Sequence, residues 1–128
     1  MTVTVRDQSG ARRTAELTLS RIPDRITLRE LIRTRVREEV ALANAEPGHE
    51  FRTLVQPTDS EVSLNGYRLR RPKTIDWHRQ AAVAEDAFAA NGFFVLVDGR
   101  QIEDLEEELE LTADSEVRFV KLVPLVGG

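Results

Sequence analysis

The stretch that decides how the rest of the chain is read begins Phe93-Phe94-Val95-Leu96-Val97-Asp98-Gly99-Arg100-Gln101-Ile102. After an acidic segment it continues Glu116-Val117-Arg118-Phe119-Val120-Lys121-Leu122-Val123 and ends Pro124-Leu125-Val126-Gly127-Gly128. Two β-rich runs frame it. Asp98-Gly99 is the dipeptide that a type I′ hairpin turn prefers, because both central residues need positive φ. In the final strand the side chains alternate, so Val117 and Phe119 share one face and Val120 and Leu122 the other. One set must cover a helix, and the opposite set is then an apolar patch that a monomer has no internal reason to expose. The chain then runs into two glycines, Gly127 and Gly128, a tail without side chains that foreign backbone can approach closely from both sides.

Working outward, the amino-terminal part gives a hairpin and a helix. Thr2–Val5 and Arg13–Leu19 alternate around a turn at Asp7-Gln8-Ser9-Gly10, which predicts two antiparallel strands. Ile22–Arg25 reads as a short connection. Thr27-Leu28-Arg29-Glu30 has the spacing of a capping box. Leu28, Leu31, Ile32, Arg35, Val36 and Val40 recur at helical spacing, predicting a helix over about 28–44 that Glu46-Pro47-Gly48 ends. The expected fold class is therefore α+β, with hairpin, helix and second pair of strands in that order.

At these residues the chain resembles the ubiquitin superfamily. The matching parts are Ile22–Leu31, Val95–Leu105 and Ser115–Gly128, within matched regions 1–46 and 93–128. The resemblance implies a single β-grasp domain over 1–128, a mixed sheet wrapped over one helix. The residues about 47–91 stand as an insertion, expected to be ordered: a strand at Phe51–Val55, an Asn65-Gly66 hairpin, and a second helix capped by Thr74 and ended by Asn91-Gly92. Residues about 125–128 are expected to form a flexible tail.

The resemblance also implies a function. In a ubiquitin-like modifier the Gly128 carboxylate, presented by Gly127, is adenylated by a ubiquitin-activating-type enzyme, passed to a partner cysteine and then to a target amine. A conjugating enzyme and an isopeptidase are further implied partners. ATP is used by the activating enzyme, and the chain itself carries no cofactor. Val120, Leu122, Pro124, Leu125 and Val126 would contact the partner. The alternative branch is the sulfur carriers of molybdopterin and thiamine synthesis, which bear a carboxy-terminal thiocarboxylate. The tail is closer to those, since it lacks the arginines that precede the glycines of ubiquitin. A third reading is a non-covalent interaction module whose glycines are incidental.

Composition narrows the classes. With 128 residues, 41% hydrophobic, 31% charged and a net charge of −4, the chain suits one soluble domain. No membrane span or signal peptide is expected, and the address is cytoplasmic by default. Without cysteine there is no disulfide, thiolate metal site or catalytic thiol. Only Lys73 and Lys121 among the 18 basic residues are lysine, a bias that a GC-rich genome or a protein forming amide bonds to lysines would both produce. No phosphate loop appears, and His49 and His78 lack a catalytic or metal-spaced partner, so the chain is not expected to be an enzyme. Glu103, Asp104, Glu106, Glu107, Glu108 and Glu110 read as a solvated face rather than a metal site. Arg68, Arg70, Arg71 and Lys73 form a basic cluster on a chain that is acidic overall, with Tyr67 as its one aromatic neighbour, which makes nucleic acid a poor partner, a docked protein a better reading and a solvated loop the plainest one.

Overall fold

The computed structural model describes residues 1–9, 12–46, 50, 52–57, 60–63, 66–70 and 74–122, with 12–14 described through their backbone. Within these residues the protein is α+β. Nine strands and two helices follow in the order β1 (Val3–Ser9), β2 (Arg12–Leu19), β3 (Arg25–Thr27), α1 (Leu28–Ala45), β4 (Ser60–Ser63), β5 (Gly66–Leu69), α2 (Trp77–Ala89), β6 (Phe93–Val97), β7 (Arg100–Ile102), β8 (Glu108–Glu110) and β9 (Val117–Lys121). The chain divides into two compact units. Unit 1 holds 1–31 and 88–128, and unit 2 holds 32–87.

Unit 1 is built on a mixed five-stranded sheet in the order β2-β1-β9-β6-β7. β1 and β2 form the expected antiparallel hairpin. β9 lies at the centre, parallel to β1 and antiparallel to β6. β6 and β7 pair as an antiparallel hairpin. Its turn has φ of 49° at Asp98 and 81° at Gly99, the two positive values that a type I′ turn demands. The buried face follows from alternation: Val3, Val5, Phe93, Val95, Val97, Val117 and Phe119 are buried, with Leu19, Ile22, Ile102 and Leu111 completing the apolar set.

One pairing is new relative to the sequence reading. β3 (Arg25–Thr27) runs from the last residue of the expected connection Ile22–Arg25 to the helix cap Thr27, and it pairs with β8 in the acidic segment. Ile26 faces Leu109 across that ladder and both are buried. The α1 helix starts where the capping box placed it: Thr27 Oγ1 accepts the Glu30 N–H at 3.2 Å. Leu28 and Leu31 are buried within this unit.

Unit 2 contains the remainder of α1, the antiparallel hairpin β4–β5 and most of α2. The turn at Leu64 and Asn65 lies outside the described residues. Ile32, Val36, Val40, Leu54, Ile75, Ala81 and Ala84 are buried. Two expectations are corrected here. The second helix begins at Trp77, because Asp76 rather than Thr74 caps it, accepting the His78 N–H on Oδ1 at 3.0 Å. Residues 52–57 form no strand; Thr53 Oγ1 bonds the Val55 carbonyl at 2.7 Å, a local turn that competes with a ladder. The helix ends as read: Asn91 takes φ of 60° and donates its N–H to the Phe88 carbonyl at 3.0 Å. Among the described residues no helix is long and apolar enough to cross a membrane.

Candidate functional site

In the sequence the candidate tail follows β9, and the register of that strand fixes what flanks its last residues. Val117 pairs with Val5 and Val97, and Phe119 with Asp7 and Val95, which seats both side chains on the buried face. On the opposite face Val120 stands between Gln8 of β1 and Phe94 of β6. It is only 7% exposed, since a central strand has neighbours on both sides. Leu122, one step beyond the ladder, is 51% exposed, and its N–H reaches the Gly92 carbonyl only at 3.4 Å. The two residues read from alternation as one open patch therefore differ: Leu122 is open to a partner and Val120 is enclosed. Pro124, Leu125, Val126, Gly127 and Gly128 lie outside the described residues.

The strand's beginning is pinned as firmly as its flanks. Asp98 and Glu116 exchange backbone contact, Asp98 N–H to the Glu116 carbonyl at 2.8 Å, while Asp98 Oδ1 accepts the Glu116 N–H at 2.8 Å. The hairpin turn of β6–β7 is thereby tied to the entry of the tail-bearing strand.

The acidic segment is structural over much of its length. The Glu107 carbonyl accepts the Leu28 N–H at 3.0 Å and the Leu105 carbonyl accepts the Arg29 N–H at 2.8 Å. With Thr27, these bonds satisfy three of the amides that the first turn of α1 leaves without helical partners. Side chains follow the backbone. Arg29 Nε meets Glu106 at 2.7 Å, Arg100 Nη2 meets Glu107 at 2.7 Å, and Arg25 meets Glu110 at 3.3 Å. The Glu107 contact, by hydrogen bond and charge, raises the Arg100 pKa. These pairs are exposed and each is worth little, yet together they answer three carboxylates of the segment that reads in the sequence as a solvated face. Among the described residues no group of three His, Cys, Asp or Glu side chains converges on a metal position.

Unit 2 holds a polar centre that the sequence reading saw only by half. Arg35 belongs to the inward stripe of α1, and its side chain is 2% exposed. Its partner is Glu39, one turn on and 3% exposed, bound at 2.6 Å between Arg35 Nε and Glu39 Oε1. Both Glu39 oxygens also accept the Leu54 N–H at 3.1 Å, so the pair holds a loop amide as well as a helix turn. Tyr67 on β5 has its phenol pKa raised, first by burial and then by the Glu39 charge. The available signal was the Arg-x-x-x-Glu spacing itself, which sets both side chains on one helix face. Asn44 completes the bracing, accepting the Ile75 N–H at 2.9 Å and donating to its carbonyl at 3.1 Å.

Comparison with known protein families, curated protein sequences and solved structures gave no match. His78 is exposed and stacks on Trp77 at 3.9 Å between ring centroids, while His49 lies outside the described residues. Arg68 and Arg70 are exposed, and Arg71 and Lys73 lie outside the described residues. The described geometry offers a firmly paired strand end, an open Leu122 beyond it, and exposed arginines in unit 2.

Proposed function

We propose that the protein is a ubiquitin-like modifier of β-grasp fold, whose Gly128 carboxylate is joined to target amines. The observation that carries the reading is Gly127-Gly128 following the central strand of a mixed sheet ordered β2-β1-β9-β6-β7. A grasp needs its first hairpin beside its last strand, with that strand parallel to β1 and flanked by a second hairpin. The β1–β9 and β6–β9 ladders support that arrangement, and α1 follows the first hairpin as the grasp helix should. The chain supplies a carboxylate and a surface; catalytic groups belong to the partners. An oxygen of the Gly128 carboxylate attacks the α-phosphate of ATP on an activating enzyme, forming an acyl-adenylate and releasing pyrophosphate. A partner's cysteine thiolate then attacks the carbonyl and AMP departs. A lysine amine finally displaces the thiolate, leaving an isopeptide bond. The glycines let the carboxylate enter a narrow site without steric conflict. The reading requires that Gly128 carry the free carboxylate in the mature protein, whether encoded there or released by proteolysis.

A second reading is favoured by one feature, the absence of arginine from Pro124-Leu125-Val126-Gly127-Gly128. In it a sulfide attacks the adenylate carbonyl, AMP departs and Gly128 becomes a thiocarboxylate. One experiment separates them. Trypsin cuts after Lys121, so a conjugated target lysine would retain the branch Leu122–Gly128. Mass spectrometry of tryptic peptides from cells making the protein should find that branch on lysines of other proteins. A carboxy-terminal peptide with one oxygen replaced by sulfur, and no branched lysines, would select the sulfur carrier. Neither product would leave the non-covalent module.

A further inference from the structure

Helix α1 carries Arg33 and Arg37 one turn apart, and both guanidinium groups lie against the indole of Trp77 at the start of α2. Their Cζ atoms are 5.5 and 5.6 Å from the ring centre, within cation–π range. The His78 imidazole stacks on the same ring with 29° between the planes. Two like charges four residues apart repel one another. Glu85 answers one of them, but only at 3.6 Å from Arg33 Nη1, too far for a charge-assisted hydrogen bond. Arg37 is exposed, and its neighbours along the helix face are Arg33, Thr34, Val40 and Ala41, none of them acidic. Positive charge is thus concentrated and held in place by an aromatic ring, on a chain whose net charge is negative.

We propose that Trp77, Arg33 and Arg37 form a docking ledge for an acidic segment of a partner protein. The ring fixes the guanidinium planes in advance, so an arriving carboxylate need not pay for ordering two long side chains. Arginine and tryptophan are also the residues that most often dominate an interface energetically. An isolated small anion gains little on so open a surface, where solvent and salt screen the charge. A segment carrying several carboxylates engages both arginines at once, and the second contact is then intramolecular. Because the whole chain is acidic, the attraction is local and must weaken steeply with salt. The inference does not rest on the carrier reading; all its residues belong to unit 2.

Trp77 is the chain's only tryptophan, so its emission reports on the ledge alone. The full chain is titrated at low ionic strength with a hexa-glutamate peptide, a hexa-glutamine peptide and inorganic phosphate. The expected result is a saturable change with hexa-glutamate only, lost by about 0.5 M salt. Arg37→Gln should weaken it by about fivefold or more, with the far-ultraviolet circular dichroism unchanged. Arg79→Gln, which removes one exposed charge elsewhere on α2, should weaken it less than twofold, about the effect of net charge alone. No saturable change at millimolar peptide, an equal response to hexa-glutamine or phosphate, or equal losses in the two variants would overturn the proposal.

Discussion

Glu39 is the most deeply buried acidic residue among the described residues. Its side chain is enclosed, one oxygen is 2.6 Å from Arg35 Nε, and both accept the Leu54 amide. Enclosing the two charges costs several kcal/mol in lost hydration, and their attraction offsets this only while both are present. Removing one is therefore worse than never having had either. Glu39→Ala should lower stability by about 3–5 kcal/mol, because Arg35 is left charged in a nearly closed site and the Leu54 N–H loses its acceptor. Replacing both, Arg35→Met with Glu39→Leu, should recover part of that loss while leaving the Leu54 amide unanswered. Urea unfolding of the two variants measures the difference. A loss below about 1 kcal/mol for Glu39→Ala would mean that the site admits water and the pair is not enclosed.

At the scale of elements, the chain was readable where a local rule and burial agreed. α1 was expected at 28–44 and is found at Leu28–Ala45, because the Thr27 cap and the apolar stripe point the same way. The Asp98-Gly99 turn was readable because few residues tolerate positive φ. The β3–β8 ladder was not. Each strand has three residues, and pairing Ile26 with Leu109 depends on a contact far apart in sequence that no local pattern encodes. The Glu108-Leu109-Glu110 alternation was its only trace, hidden in a charge run. The start of α2 was displaced because Thr74 and Asp76 are both good caps and tertiary context chose the second. The α1 assignment carries its own test. Leu31 is fully buried whereas Leu42 is 57% exposed. Leu31→Ala should cost about 2–5 kcal/mol, and Leu42→Ala should stay within about 0.5 kcal/mol. Equal costs in chemical denaturation would mean the helix presents a different face.

For the whole molecule, the question is whether folding and the proposed chemistry can be separated. The sequence placed Val120 and Leu122 together, since alternation reports which face a side chain takes but not how closely its strand's neighbours crowd it. The central position of β9 decides that, and only the assembled sheet order reveals it. An aspartate at each site should then have opposite consequences. Val120→Asp puts a charge between Gln8 and Phe94, where the wild-type side chain is 7% exposed. It should lower stability by at least about 2 kcal/mol, the cost of a charge without a partner in a poorly hydrated place. Leu122→Asp meets solvent and should leave the melting temperature nearly unchanged. If a partner must grip the chain beside the tail, it is nonetheless the damaging substitution, because an apolar contact at the exit of β9 is replaced by a hydrated charge. In cells, the yield of lysines bearing the Leu122–Gly128 branch, read with Asp at position 122, should fall about tenfold or more, equivalent to about 1.4 kcal/mol of lost docking. Thermal melts of the purified variant supply the control. A Leu122→Asp protein that melts like wild type and conjugates equally well would remove Leu122 from the docking face, while leaving the role of Gly128 to be judged by the branch itself.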